Sequence, residues 1–436
     1  MAIQDSGLCP DLEFKNTTSL LSKIFHNKPD ISVISCSPNQ DSASGQKWEF
    51  HWGAVKLWIE NKWKGDDPFI QIEELQRNPK APCHVDWTNS AYKTCGQLID
   101  YATSHHHSQF RVFSFSVAVI EDMFCLLRWD RSGIVYTAPS NLADGYLFEF
   151  LWRFNHLSPA DHGYDPTICP AGDDKAELAL PKLRTYPKFE NVRKEHLHRI
   201  LVWDDCCSDD GPRHYITPSM KWATEALIGR ATFGFIAFDV KRGKLVYLKD
   251  FWHVDHPEIQ KEGDVYHELY EVEVRNIAKM GHAGNVHLTL DDGQIRASVG
   301  IQRTWTQDYL NHSWCPGRPV VEPYVHYRLV LETVGVPLNR SKLTQQLCEV
   351  IRDAIISKSG FVMSHLKLTM LIVHTDAYNK TQILHRDVSI GNILITEKGT
   401  GILINWDLLK KVKDDANAKP RRHLRMVGVS FLSRTQ

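Results

Sequence analysis

The chain has no excess of either charge: 51 Lys and Arg stand against 52 Asp and Glu, a formal net charge of −1 over 436 residues. Such a balance supplies no global field to draw nucleic acid or an anionic membrane, so neither is an expected partner. Long apolar runs are missing too. Nowhere do 18 apolar residues follow one another, and nothing reads as a membrane-spanning helix. Met1 to Phe14 carries neither a basic stretch nor an apolar one, so no secretory leader is read there. The 10 cysteines include no C-x-x-C pair, only the vicinal Cys206-Cys207 and isolated singles. That usage fits reduced thiols better than a disulfide framework or a zinc site, and it points to a soluble intracellular protein.

What is present is ordinary globular composition, 42% hydrophobic and 24% charged, in a chain long enough for two or three cores. Pro29 to Gln46 is rich in Ser, Asn, Asp, Gly and Pro, so residues 1–45 read as a flexible segment. Trp48 to Glu60 alternates loosely. Thr94 to Ser104 has helical spacing through Leu98, Ile99 and Ala102, and Phe113, Phe115, Val117 and Val119 alternate as a strand does. Turns at Glu121-Asp122 and Asp130 to Gly133 set off strands at Met123 to Trp129 and Ile134 to Tyr136. Tyr146 to Leu157 reads as an amphipathic helix. The sum is a first α+β domain over 46–190. Pro166 to Pro187, rich in proline and charge, reads as an interdomain connection. Beyond it, strands are expected at Phe233 to Val240, Lys244 to Asp250 and Tyr324 to Thr333, and a helix at Leu343 to Ile356. A small sheet followed by helices makes 200–436 a second unit.

The most informative stretch is Ile383-Leu-His385-Arg386-Asp387-Val-Ser-Ile-Gly-Asn392-Ile-Leu-Ile395. It sets a carboxylate five positions before a carboxamide, between two apolar segments. Asp387 can accept a proton from a hydroxyl, and Asn392 can hold a magnesium ion on ATP; this is the pattern of a kinase catalytic loop. The bland alternative is that these residues decorate an ordinary loop. Upstream, Gly229 and Gly234 bracket Arg230-Ala-Thr-Phe233, a turn whose backbone can cover phosphates, although a plain hairpin would look the same. Lys249, fifteen positions after Gly234, would face the α- and β-phosphates, or else be a solvated strand-edge lysine. Asp264 and Glu268 compete as the carboxylate that would hold it.

Together, Gly229-Arg-Ala-Thr, Leu248-Lys-Asp-Phe-Trp252, Glu262-Gly-Asp-Val-Tyr266, His326-Tyr-Arg-Leu-Val330 and the catalytic loop resemble the fungal-type protein kinase family. The resemblance reaches into the first domain through Leu127-Arg-Trp-Asp-Arg-Ser-Gly133 and Phe148-Glu-Phe-Leu-Trp-Arg-Phe154. It implies a kinase-like fold behind a family-specific α+β domain, ATP and Mg2+ as cofactors, and a protein substrate phosphorylated on Ser or Thr. By the same resemblance Asp387, with Arg386 and His385, is the catalytic element. Gly229, Gly234 and Lys249 would bind ATP, and Asn392, Asn405 and Asp407 the metal.

Departures from the family pattern shape further expectations. Asn405-Trp406-Asp407 stands where Asp-Trp-Asp or Asp-Phe-Asp is expected. Asparagine keeps an oxygen ligand but loses the charge, so magnesium affinity should fall, with Asp407 substituting in part. Gln436 follows soon after, so the helical lobe is expected to be incomplete, with Ile383, Leu384, Ile393 and Ile395 short of cover and a partner chain able to supply it. Arg425 to Leu432 carries valines where an activation segment has threonines. A pseudokinase scaffold and a small-molecule phosphotransferase are therefore the rival readings. His105-His106-His107 is expected to be solvated rather than metal-binding, and Asp204, Asp205, Asp209 and Asp210 lack calcium-loop spacing. Glu60-x-Lys62 with Gln97 has the residue types by which restriction-endonuclease-like folds cut phosphodiesters, but no upstream Asp stands out.

Overall fold

The computed structural model describes Gln4, Cys315 and residues 6–18, 27–36, 48–69, 89–206, 211–218, 226–288, 300–312, 321–337, 376–387, 390–396, 401–411 and 431–434. The architecture is mixed α+β, built on two large sheets. The first begins with β1 (Leu12–Asn16), β2 (Ile31–Ser35) and β3 (Val55–Lys62), paired antiparallel in that order. Helix α1 (Asn89–Ser108) then crosses over, so β4 (Ser114–Ile120) lies parallel to β3. A meander of β5 (Met123–Asp130) and β6 (Gly133–Thr137) extends the sheet, and β7 (Ser140–Asn141) pairs with β5. Side chains alternate between two cores. Trp58, Ala118, Leu127 and Trp129 meet Leu98, Tyr101 and Ala102 of α1. Leu57, Ile59, Val117 and Phe124 meet Leu147, Leu151 and Phe154 of α2 (Tyr146–Asn155) on the opposite face.

The segment expected to be flexible at 1–45 thus supplies β1 and β2; Ser32, Val33 and Ile34 are buried and Ile31 half-buried, between β1 and β3. Pro166 to Pro187 is likewise no bare connection. It contains β8 (Ile168–Pro170) and α3 (Asp173–Leu183), whose Ala176, Ala179 and Leu183 pack on Leu197, Ile216 and Phe238. The three histidines are not solvated either. His105 and His106 are fully buried, with Nε2 of His105 donating to Val55 O at 2.7 Å and His106 Nε2 2.9 Å from Ser114 Oγ. Burial first, then nearby arginines, hold both rings well below the ordinary histidine pKa. They end a helix whose last turn is roofed by the sheet and the next domain.

The second sheet is antiparallel throughout and runs β13-β14-β12-β11-β10-β9-β8. Its strands are β9 (Leu197–Val202), β10 (Arg213–Pro218), β11 (Phe233–Asp239), β12 (Lys244–Val254), β13 (Met280–Asn285) and β14 (Tyr324–Leu331), with α4 (Glu262–Glu271) after β12. The β11–β12 turn forms because Asp239 accepts the amides of Lys241 and Arg242, both at 3.0 Å, and Gly243 takes φ +67°. Then come β15 (Val336–Pro337), β16 (Ile383–Leu384), β17 (Ile393–Ile395), β18 (Gly401–Leu403) and β19 (Lys410–Lys411) in two small sheets. Finally β20 (Phe431–Arg434) joins the first sheet, parallel to β6. Contrary to expectation, Ile383, Ile393 and Ile395 are buried, because they pack on Val265, Leu269, Tyr327 and Leu329. Leu384 is half-buried. The helix expected at Leu343 to Ile356, residues 425–430, and Asp209 and Asp210 lie outside the described residues. No helix among the described residues is long and apolar enough to cross a membrane.

One buried polar network ties β14 and β12 to the segment that leads into β8. Arg328 on β14 donates to Asp250 and Asp165, each at 2.6 Å, and to Thr167 Oγ1 and Leu201 O, each at 2.7 Å. His326 reaches Asp250 Oδ1 at 2.7 Å, beneath the stacked ring of Trp252. Burial alone would push the carboxyls of Asp165 and Asp250 up, but Arg328 and His326 pull both below the usual range. These groups therefore stabilise the fold fully above the unfolded carboxylate pKa of about 3.9, and less as pH falls toward the folded values. Replacing Arg328→Met should cost about 3–5 kcal/mol at pH 7 by stranding buried carboxylates. It should also flatten the loss of stability below about pH 4, as read by urea unfolding across pH.

Candidate active site

β12 presents successive side chains to opposite faces, so Asp250 enters the buried network while Lys249 faces away from it. Lys249 is only 2% exposed, and its Nζ lies 2.7 Å from Glu262 Oε2, 2.9 Å from Asp407 Oδ2 and 3.1 Å from Asn405 Oδ1. Burial draws its pKa down while Glu262 opposes that shift. The carboxylate that holds Lys249 is therefore Glu262, not Asp264 or Glu268. Asp264 is exposed, and Glu268 instead pairs with Lys411 at 2.7 Å. Helical phase explains the difference. Glu262 precedes Tyr266 by one turn and shares its buried face, whereas residues 264 and 268 sit on other sides of α4. That four-residue spacing to a buried aromatic was the available signal.

Below the strand, the segment that carries Asp387 is fixed from behind. His385 is fully buried; its Nε2–H donates to Ile404 O at 2.8 Å, and its Nδ1 accepts the Asp387 amide at 3.3 Å. Its ring meets Trp406 edge-on at 4.7 Å. Arg386 takes φ +65° and is exposed, so the turn projects Asp387 toward the cleft. Asn392 Nδ2 donates to the Asp387 carbonyl at 2.8 Å and to its carboxylate at 2.9 Å. Asn405, at φ +66°, donates from Nδ2 to Asn392 Oδ1 and accepts from Lys249, while the Trp406 amide donates to Glu262 at 3.2 Å. An aspartate at 405 has no N–H to give Asn392; asparagine closes a chain of bonds from Asp387 to Glu262. Asp407 also forms an ion pair with Arg230, a residue that sequence reasoning placed in the turn without a role.

The glycine turn roofs this arrangement. Gly229 takes φ +97°, where side chains are disfavoured, and a Cβ on Gly234 would meet the Tyr247 hydroxyl. The turn is moored to the first domain. Leu227 is buried in the core beneath α1, Arg131 Nη1 donates to Leu227 O at 3.0 Å, and Gly229 N donates to Arg131 O at 2.8 Å. His107 meets Phe233 edge-on at 6.1 Å. Between roof and floor lies a cavity of about 430 Å³ lined by Ile228, Arg230, Thr232, Lys249, Asp387 and Asp407, among others. That size suits a small-molecule ligand. The structure thus brings together Gly229, Lys249, Asp387, Asn392, Asn405 and Asp407, with His385 supporting from below and Arg386 exposed beside them.

The fungal protein kinase model matches residues 81–433. The chain belongs to that family. The match takes in most strands of the first sheet as well as the cleft. Among curated proteins nothing matches this chain. In this family member the mooring of the roof gives a direct expectation. Leu227→Ala should cost about 2–4 kcal/mol by leaving a void in the first domain's core. Amide exchange at Gly229 should quicken as its partner Arg131 loosens, measurable by hydrogen–deuterium exchange on the full chain.

Proposed function

We propose that the chain binds ATP in this cavity and transfers its γ-phosphoryl group to a serine or threonine hydroxyl of a protein. The observation that carries the reading is the shared cavity of Lys249 and Asp387, backed by a buried carboxylate. The buried ammonium of Lys249, fixed by Glu262, would meet the α- and β-phosphates, and backbone amides of the glycine turn would cover them. Asp387 would orient the acceptor hydroxyl and take its proton as the oxygen attacks the γ-phosphorus. Mg2+ would supply charge neutralisation between the phosphates. Asn392, Asn405 and Asp407 offer it an oxygen-only donor set, which suits a hard cation, but with Asp407 as the sole carboxylate among them.

The second reading, a nucleotide-binding scaffold without turnover, has its own support. Asp407 already neutralises two cations, Lys249 and Arg230, and Asn405 is engaged at both ends of its amide. Magnesium-dependent ATP turnover separates the two. On the kinase reading, Asp387→Ala lowers turnover by about 10²–10⁴-fold with ATP affinity retained. Lys249→Met weakens ATP binding by at least about tenfold, the loss of one charge-assisted contact. ATP binding by calorimetry with no turnover in the wild-type chain sinks the kinase reading in favour of the scaffold.

A further inference from the structure

Arg230 lies in the glycine turn, where covering phosphates asks only for backbone amides, yet the turn is built to hold this residue still. Before it, Gly229 takes φ +97° and its amide donates to Arg131 O at 2.8 Å. After it, Ala231 is buried and takes φ +38°, a left-handed angle that a residue with a Cβ adopts only at a cost. Between the two, the Arg230 carbonyl accepts the Trp252 amide at 2.8 Å. The side chain leaves this fixed point for the cavity it shares with Lys249 and Asp387. Burial draws its pKa down while Glu262 opposes that shift, and an arginine so placed is still charged at neutral pH.

Two cations from separate elements converge on one acceptor. Nη2 of Arg230, from the roof, and Nζ of Lys249, from β12, both meet Oδ2 of Asp407, the lysine at 2.9 Å. Like charges brought this close repel, so the pair needs an anion between them, and one carboxylate oxygen is the least that serves. A phosphate offers several oxygens in its place and matches the guanidinium fork. The oxygens that would hold a magnesium ion are, by contrast, already in use. Asn405 Oδ1 accepts from Lys249 at 3.1 Å, Asn392 Oδ1 accepts from Asn405 Nδ2, and Asp407 Oδ2 meets both cations. A divalent cation binding to all three side chains must break into each of these contacts and meets one carboxylate among them. A polyphosphate need displace only Asp407.

We infer that Arg230 and Lys249 together take up the charge of the triphosphate, so that ATP binds in this cleft without a divalent cation. The inference rests on the reading of the cavity as the ATP site and deepens it, since it assigns Arg230 to the phosphates. Phosphate oxygens replace Asp407 on the two side chains, and no covalent bond is made or broken. Glu262 keeps its hold on Lys249 from behind. Asp407 thus occupies, in the empty cleft, the place of the ligand's own charge, and it competes with the nucleotide rather than recruiting it. Turnover keeps its need for Mg2+; binding alone is freed of it.

The test is calorimetric titration of the purified full chain with ATP and with adenosine, each in excess EDTA and in excess Mg2+. ATP affinity in EDTA is expected within about threefold of that in Mg2+. Arg230→Gln should weaken ATP in EDTA by at least about tenfold, the loss of one charge-assisted contact, and move adenosine by less than about twofold. A merely structural role for Arg230 would move both ligands alike. Asp407→Asn should tighten ATP in EDTA, because the competitor for both cations is gone; weaker binding there overturns the inference. The titration of the unaltered chain needs no variant to fold. ATP bound in Mg2+ but not in EDTA overturns the inference and leaves the kinase reading standing, as does a folded Arg230→Gln chain that binds ATP as well as the wild type. ATP bound in EDTA with no turnover in Mg2+ sinks the kinase reading and leaves this one. Absence of ATP binding in both buffers overturns both.

Discussion

A single buried guanidinium organises this protein. Arg328 has no exposed surface, and a charge taken so far from water survives only when its donors are met. Asp250 and Asp165 meet them, one from the strand that carries Lys249 and one from the segment that leads into β8. Because Asp250 and Lys249 are neighbours on one strand, fixing the first fixes the second. The lysine's reach into the cleft is therefore set by a network on the far side of the sheet, where no ligand touches it.

The cleft shows the same economy of charge. Four cationic or amide groups and three carboxylates form one connected chain from Asp387 through Asn392, Asn405 and Lys249 to Glu262, with Arg230 and Asp407 closing its side. Asparagine at 405 looks like a loss when counted as a metal ligand. In the assembled site it is a donor as well as an acceptor, and it links floor to back wall in a way a carboxylate is not able to.

Much of this was legible in the sequence, and the failures share a cause. The alternation of Phe115, Val117 and Val119, the β11–β12 hairpin and the nearness of Asp387 to Asn392 all announce themselves locally, because their determinants lie within a dozen residues. Glu262 was passed over for Asp264 and Glu268 because its claim rests on which face of α4 is buried, and that depends on Tyr327 and Leu329 far along the chain. β2 hid behind the polar residues around it because Ser32 is buried between β1 and β3, a placement only the assembled sheet reveals. The burial of His105 and His106 is a product of tertiary contact, invisible to any short window. The mooring of Gly229 by Arg131 joins residues nearly a hundred positions apart.

That mooring has a bearing on how such chains diversify. A roof whose root is sunk into another module's interior is not portable: recombination that exchanges one module for a foreign one would carry off the footing of the other's glycine turn. In this chain a change at Leu227 or Arg131 must be matched by its surroundings if the turn is to keep its place.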